Sequence, residues 1–288
     1  MSEEVASGLY PDAYTVGWVV AIAALSDLAA VGADPVGVLL TSTWGPDWPR
    51  ADRASMASGF AAALRASGTA LLGGDSSTGA ATVLSATAIG CSDERPMSRV
   101  GAQPGDVLCT TGAAGAGAAL GLKFLIGEER GDPPFRPRAR LAEGSALRRF
   151  ASACIDTSDG LLQAVAVLAS VNGLGAQLEW SSELLDAQSA QLFDAKDLPR
   201  WLIWLSELGD YELMAAIPEE LWPEAQAEVG PLSRLGQFTA GPDVEIDTGA
   251  RVVPLDLDRL ASIVEADPSA RGALLAEIVE WARKEGLP

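Results

Sequence analysis

The chain has 288 residues, enough for one large or two modest cores, and its 48% hydrophobic and 20% charged residues are those of an ordinary globular protein. A net charge of −19 excludes nucleic acid and anionic membrane as partners, since Lys and Arg surfaces hold both. There is no histidine, which excludes a His base, a Ser/Cys–His couple and any His metal ligand.

Tyr14 to Ala33 reads as a helix that is apolar on nearly every face. Its apolar run, Gly17–Val31, is too short for a membrane span and contains Asp27. The first residues are acidic rather than basic, so no signal peptide is read and a cytoplasmic location is expected. Val36–Thr43 is a strand candidate and Arg50–Ser67 a second helix. Thr69–Leu72 and Thr82–Ile89 read as strands on either side of a turn, Gly73–Gly79. Pro104-Gly105-Asp106 is a turn, and the domain boundary is placed there, giving domains 1–105 and 106–288.

Beyond it come a strand (Val107–Thr111), a glycine-dotted helix (Gly112–Leu125) and a proline-rich loop (Gly127–Arg138). A helix over Leu141–Phe150, a strand over Ala153–Asp156 and a helix over Asp159–Ser170 follow, the last starting at an acidic cap. Strands are expected at Ala176–Trp180, Tyr211–Ile217, Arg234–Phe238 and Arg251–Pro254, with helices at Glu219–Glu228 and Ala270–Glu285. The mixture lacks the rhythm of a parallel sheet and favours an α+β fold. Cys91, Cys109 and Cys154 have no paired spacing and read as inert core thiols.

Chemistry then falls to carboxylates, Arg and Lys, hydroxyls, backbone amides or a bound metal. Asp27 sits in an apolar helix, where a carboxylate is costly unless it is paired or cation-bound; an Asp on a polar stripe reads equally well. Gly73-Gly74-Asp75 follows a strand, so its amides can approach a ligand and its acid can hold a hard cation, as in any Gly-rich turn. Asp156-Thr157-Ser158-Asp159-Gly160 places two carboxylates three residues apart at a strand-to-helix junction. A cap explains Asp159 alone; Asp156 is left over and suits Mg²⁺. Gly112–Gly117 lacks the Lys-Ser/Thr of a P-loop and reads as structural.

In order, Ala24-Leu-Ser-Asp-Leu-Ala-Ala-Val-Gly-Ala-Asp-Pro35, Leu72-Gly-Gly-Asp-Ser76, Ser98-Arg-Val-Gly-Ala-Gln-Pro-Gly-Asp106, Ile155-Asp-Thr-Ser-Asp-Gly-Leu161 and Gly209-Asp-Tyr-Glu-Leu213 resemble the successive motifs of the thiamine-monophosphate kinase family. That family belongs to the aminoimidazole ribonucleotide synthetase-like superfamily. The resemblance implies two α+β domains, with a homodimer made through the sheet of the first and with ATP and Mg²⁺ between the two. It implies Asp27, Asp75, Asp156 and Asp159 as metal ligands, and Gly74, Asp75, Arg99 and Ser158 as ATP contacts. Asp210 is carried over as a substrate-binding residue. The activity implied is transfer of the ATP γ-phosphoryl group to a small phosphorylated acceptor, thiamine monophosphate or a changed one. Such an acceptor is mostly ionised at pH 7 and needs no general base.

Three departures accompany the resemblance. Only thirteen residues precede Tyr14, so the family's Asp-Asp pair and its later His are absent, and Glu3 and Glu4 are a loose stand-in. The Glu that helps bind the acceptor is replaced by Gly209, and no aromatic residue lies near Leu255–Leu260 to cover the thiamine ring. The alternative is a non-catalytic paralogue that keeps the fold for nucleotide binding or partner association.

Overall fold

The computed structural model describes residues 3–257 and 268–287. Contacts divide the chain into two compact units, Met1–Met97 with Leu120–Arg148, and Ser98–Ala119 with Arg149–Pro288. The first crossing lies shortly before the Pro104-Gly105 turn. The mixed α+β architecture agrees with the expected fold class.

The first unit contains α1 (Glu3–Ser7), α2 (Ala13–Ala30), β1 (Asp34–Trp44), α3 (Arg50–Ala66), β2 (Leu71–Thr78), β3 (Val83–Cys91) and α5 (Leu141–Leu147). Its sheet has the order β2-β1-β3, with β1 parallel to β2 and antiparallel to β3. Helix α2 is apolar on most of its surface because α3, α5 and the inner face of the sheet cover most of it. Asp12 caps it, accepting from Thr15 N at 2.7 Å. α2 is long and apolar enough to cross a bilayer, but most of it is buried within this unit.

Two glycines set the α2–α3 crossing. A Cβ on Gly17 would lie 1.9 Å from the Met56 carbonyl oxygen, and one on Gly59 2.0 Å from that of Tyr14. Backbone therefore meets backbone, with Met56, Phe60 and Leu64 filling the seam behind. The sheet is less well covered. Val36, Leu39, Leu71, Leu72, Val83 and Ile89 stay exposed, at 38–53% of their surface.

Gly73-Gly74-Asp75 was expected in a turn and instead lies within β2, paired with Leu39, Leu40 and Thr41 of β1. The glycines serve the pairing itself, since a Cβ on Gly74 would fall 1.8 Å from the Leu40 carbonyl oxygen. A turn and a close strand pairing both call for glycine, and composition cannot separate them.

The second unit contains β4 (Val107–Thr110), β5 (Ala153–Asp156), α6 (Leu161–Asn172), β6 (Gly175–Glu179), α7 (Ala187–Ala195), β7 (Leu213–Ile217), α8 (Trp222–Glu228), β8 (Ser233–Thr239), β9 (Val244–Asp247), β10 (Val252–Leu255) and α9 (Pro268–Glu285). Helix α4 (Ala116–Leu125) begins four residues later than expected. The sheet order is β10-β9-β6-β8-β4-β7-β5, antiparallel except where β6 meets β9, a strand the sequence reading had not marked. β4, β5 and β7 are buried on both faces, with α6 packed on β5 and β6.

Two of the cysteines are core thiols as expected, and Cys91 is exposed at the end of an uncovered strand. Burial pushes the Cys109 thiol up to about 12, and Cys154 higher still, so both are unreactive.

Gly59→Ala is expected to destabilise the first unit by about 3 kcal/mol or more, because the new methyl meets backbone rather than a movable side chain. The check is denaturant unfolding beside Ala57→Ser, an exposed change on the same helix expected to stay within about 0.5 kcal/mol.

Candidate functional site

Strand β5 carries Asp156 to its last position, where the carboxylate is 5% exposed. The chain then turns through Thr157-Ser158-Asp159 and enters α6. The expected acidic cap is not there. The N-cap is Gly160, at φ 94°, with no side-chain bond to the first turn, which leaves Asp159 exposed and not used as a cap. Only glycine adopts this φ readily, and the site also excludes a side chain, since a Cβ would lie 1.8 Å from the Ser206 carbonyl oxygen.

A second loop straps this turn in place. Gly209 N donates to the Ser158 carbonyl at 3.1 Å, Thr157 N to that of Glu212 at 2.8 Å, and Glu212 N to Thr157 Oγ1 at 3.1 Å. Beneath them Thr111 Oγ1 donates to Glu212 Oε2 at 2.7 Å and accepts from Leu213 N at 2.9 Å. Thr111, Thr157 and Glu212 are the residues the sequence reading missed. Their signal was faint: two threonines at strand ends, and an acid one position before an apolar run.

Asp210, expected to touch the acceptor, has both carboxyl oxygens engaged within the protein. Oδ2 accepts from Gly115 N at 2.7 Å and Oδ1 from Gly117 N at 2.9 Å. The carboxylate thus clamps the start of α4, which confirms the structural reading of the Gly112–Gly117 segment. Burial pushes Asp210 up to about 6 against the pull of these amides, with Glu212 adding to the rise.

The structure also explains Gly209. A Cβ there would sit 1.5 Å from the Thr157 carbonyl oxygen, so this backbone has no room for a glutamate. Of the Leu255–Leu260 stretch, Leu255, Asp256 and Leu257 supply no aromatic ring, and residues 258–260 lie outside the described residues.

Asp159 is raised from the ordinary carboxylate range by desolvation first and by the Asp156 charge second, while Arg99 pulls it down. Arg99 and Ser158 therefore belong with Asp156 and Asp159 in this second unit. Asp27 and Asp75 belong to the first. Asp27 is exposed near the end of α2, so the burial cost expected for it does not arise. Gly74 and Asp75 are exposed along β2, Asp75 opposite Thr41. Among the described residues no three acidic or cysteine side chains converge as a ready-made metal cage.

With this geometry in hand, the comparisons decide the family. The AIR synthase related protein N-terminal domain profile matches residues 2–92. Thiamine-monophosphate kinase from Halobacterium salinarum is 34% identical over 240 residues, spanning 82% of this chain and 81% of its own. The chain belongs to the thiamine-monophosphate kinase family. The Salmonella typhimurium member of that family is 32% identical over 77% of this chain and 70% of its own. The crystal structure of the Stenotrophomonas maltophilia thiamine-monophosphate kinase superposes with a TM-score of 0.72 at 28% identity, covering 82% of this chain and 79% of the other.

The Asp210 clamp has a pH signature. Its folded pKa lies above the usual 3.8, so between about pH 4 and 6 the folded chain keeps a proton that the unfolded chain has released. Its contribution to stability therefore falls as pH rises through that window, by up to about 3 kcal/mol. Asp210→Asn should remove this slope from thermal unfolding curves and lower stability near pH 4, because its amide faces an N–H with a donor.

Proposed function

We propose that this chain is an ATP- and Mg²⁺-dependent phosphotransferase of the thiamine-monophosphate kinase type, acting on a small phosphorylated acceptor such as thiamine monophosphate. The similarity to the Halobacterium enzyme over four-fifths of both chains carries the reading. The residues supply its chemistry.

Asp156 and Asp159 fit Mg²⁺. They are hard oxygen donors three residues apart, and Asp156 raises its neighbour's pKa, a penalty that a divalent cation relieves. Bound Mg²⁺ would neutralise phosphate charge and align the transferring group. Arg99 and Ser158 would hold nucleotide phosphate oxygens beside these two carboxylates. The strap from Ser206 to Glu212 keeps the Asp156–Gly160 turn from adjusting, so these donors are preorganised rather than recruited. The acceptor is already a phosphate ester whose dianion is the nucleophile, so no base is required.

The close contact of Gly209 on Thr157 favours a second feature of the reading, a changed or weakly held acceptor. A glutamate anchor cannot stand at this position, and a polar group missing from a substrate site costs selectivity and rate.

The uncovered sheet of the first unit supports a homodimer. β2 and β3 are both edges of the sheet, and six large apolar side chains lie open along it. Light scattering at micromolar concentration should give twice the mass of 29.7 kDa, and Ile89→Lys should halve it. A wild-type monomer would remove this claim.

ATP is expected to raise the melting temperature only when Mg²⁺ or Mn²⁺ is present. Asp156→Asn should abolish most of that rise, and Asp159→Asn should reduce it. Thiamine monophosphate should turn over well below about 1 s⁻¹, the ordinary lower range for kinases. Chromatography of the thiamine esters beside an ADP-release assay measures it. A thermal shift by ATP that survives EDTA would contradict the metal assignment.

A further inference from the structure

The first unit contains an open surface cleft of about 600 Å³ that no part of the proposed reaction uses, lined by Trp44, Arg50, Arg53, Ala54, Ser76, Ser77 and Thr78. Its Ser76 and Thr78 side chains lie on the opposite side of the sheet from Asp75. Ser42 and Trp44 of β1 are buried towards the helices, and their partners on β2 are Ser76 and Thr78; Asp75 is paired with the outward-facing Thr41. The bond from Trp44 Nε1 to Ser76 Oγ at 2.8 Å confirms this alternation.

Arg53 is held firmly. Its guanidinium lies over the Trp44 ring, 5.3 Å from the centroid, and its Nε donates to the Trp48 carbonyl at 2.8 Å. Its two terminal nitrogens, and the whole Arg50 fork, have no acidic partner among the described residues. Arg140, Arg149, Arg200, Arg234, Arg251 and Arg283 all pair with carboxylates. Asp47 and Asp52 are close in sequence but do not line the cleft. Ser76 Oγ accepts from the Trp44 indole and can still donate to a ligand, whereas Ser77 Oγ bonds to Thr43 Oγ1 on the face that carries Asp75.

We propose that this cleft binds the phosphate group of a phosphorylated small molecule, at a site separate from the one built on Asp156 and Asp159. Two guanidinium forks beside the Ser76 and Thr78 hydroxyls match a tetrahedral dianion with three terminal oxygens better than a planar carboxylate with two. Arg53 is fixed before the ligand arrives, so less conformational entropy is lost on binding. The volume suits a ligand of sugar-phosphate or nucleotide size.

The proposal is tested by isothermal titration of the full chain with inorganic phosphate, against chloride at equal ionic strength. Saturable binding with a Kd of about 1 mM or tighter is expected. Arg50→Glu, an exposed change that leaves packing intact, should weaken it by about tenfold or more. Arg53→Lys keeps the charge, loses the fork and should also weaken it. Neither variant should alter the Mg²⁺-dependent thermal shift by ATP, and Asp156→Asn, which removes that shift, should leave phosphate binding unchanged. Phosphate affinity that survives Arg50→Glu, or no saturation by about 10 mM, would overturn the proposal.

Discussion

The candidate site depends on a close backbone contact between two loops. The carbonyl oxygens of Thr157 and Ser206 occupy the space that side chains at positions 209 and 160 would need, and both positions are glycine. This contact brings Gly209 N to Ser158 and Glu212 to Thr157, and so fixes where β5 releases Asp156 and Asp159. A carboxylate pair that repels itself would otherwise relax apart. Here the turn is held by backbone hydrogen bonds and by the Thr157 hydroxyl.

Asp210 and Glu212 face inward, one clamping the start of α4 and the other bonded to Thr111. Both acids thus hold the loop and the start of α4 in place around the Asp156–Gly160 turn.

Both units use glycine in the same physical way. Gly17 and Gly59 let α2 and α3 touch through their backbones, Gly74 lets β2 lie against β1, and Gly209 and Gly160 join the two loops. At each of these contacts a side chain would collide with a carbonyl oxygen, which cannot move without breaking an element.

Much of this could be read from the amino-acid sequence. Helix α2, strand β1 and helix α3 were anticipated to within a few residues, because their patterns are long and their ends carry turn chemistry. The carboxylates at 27, 75, 156 and 159, and the family they belong to, were also legible, since the order and spacing of motifs survive without coordinates. Tertiary structure decided what depends on which atoms meet. Gly73-Gly74-Asp75 became a strand because β1 lay beside it, and Asp159 lost its role as a cap because Gly160 took the positive φ. Asp27 proved exposed despite its apolar neighbours, and Asp210 turned inward because two amides at the start of α4 were unsatisfied. Local sequence determines which groups a segment carries and its preferred period; which partner satisfies a carboxylate or an amide is a long-range choice, made only when the whole chain has packed.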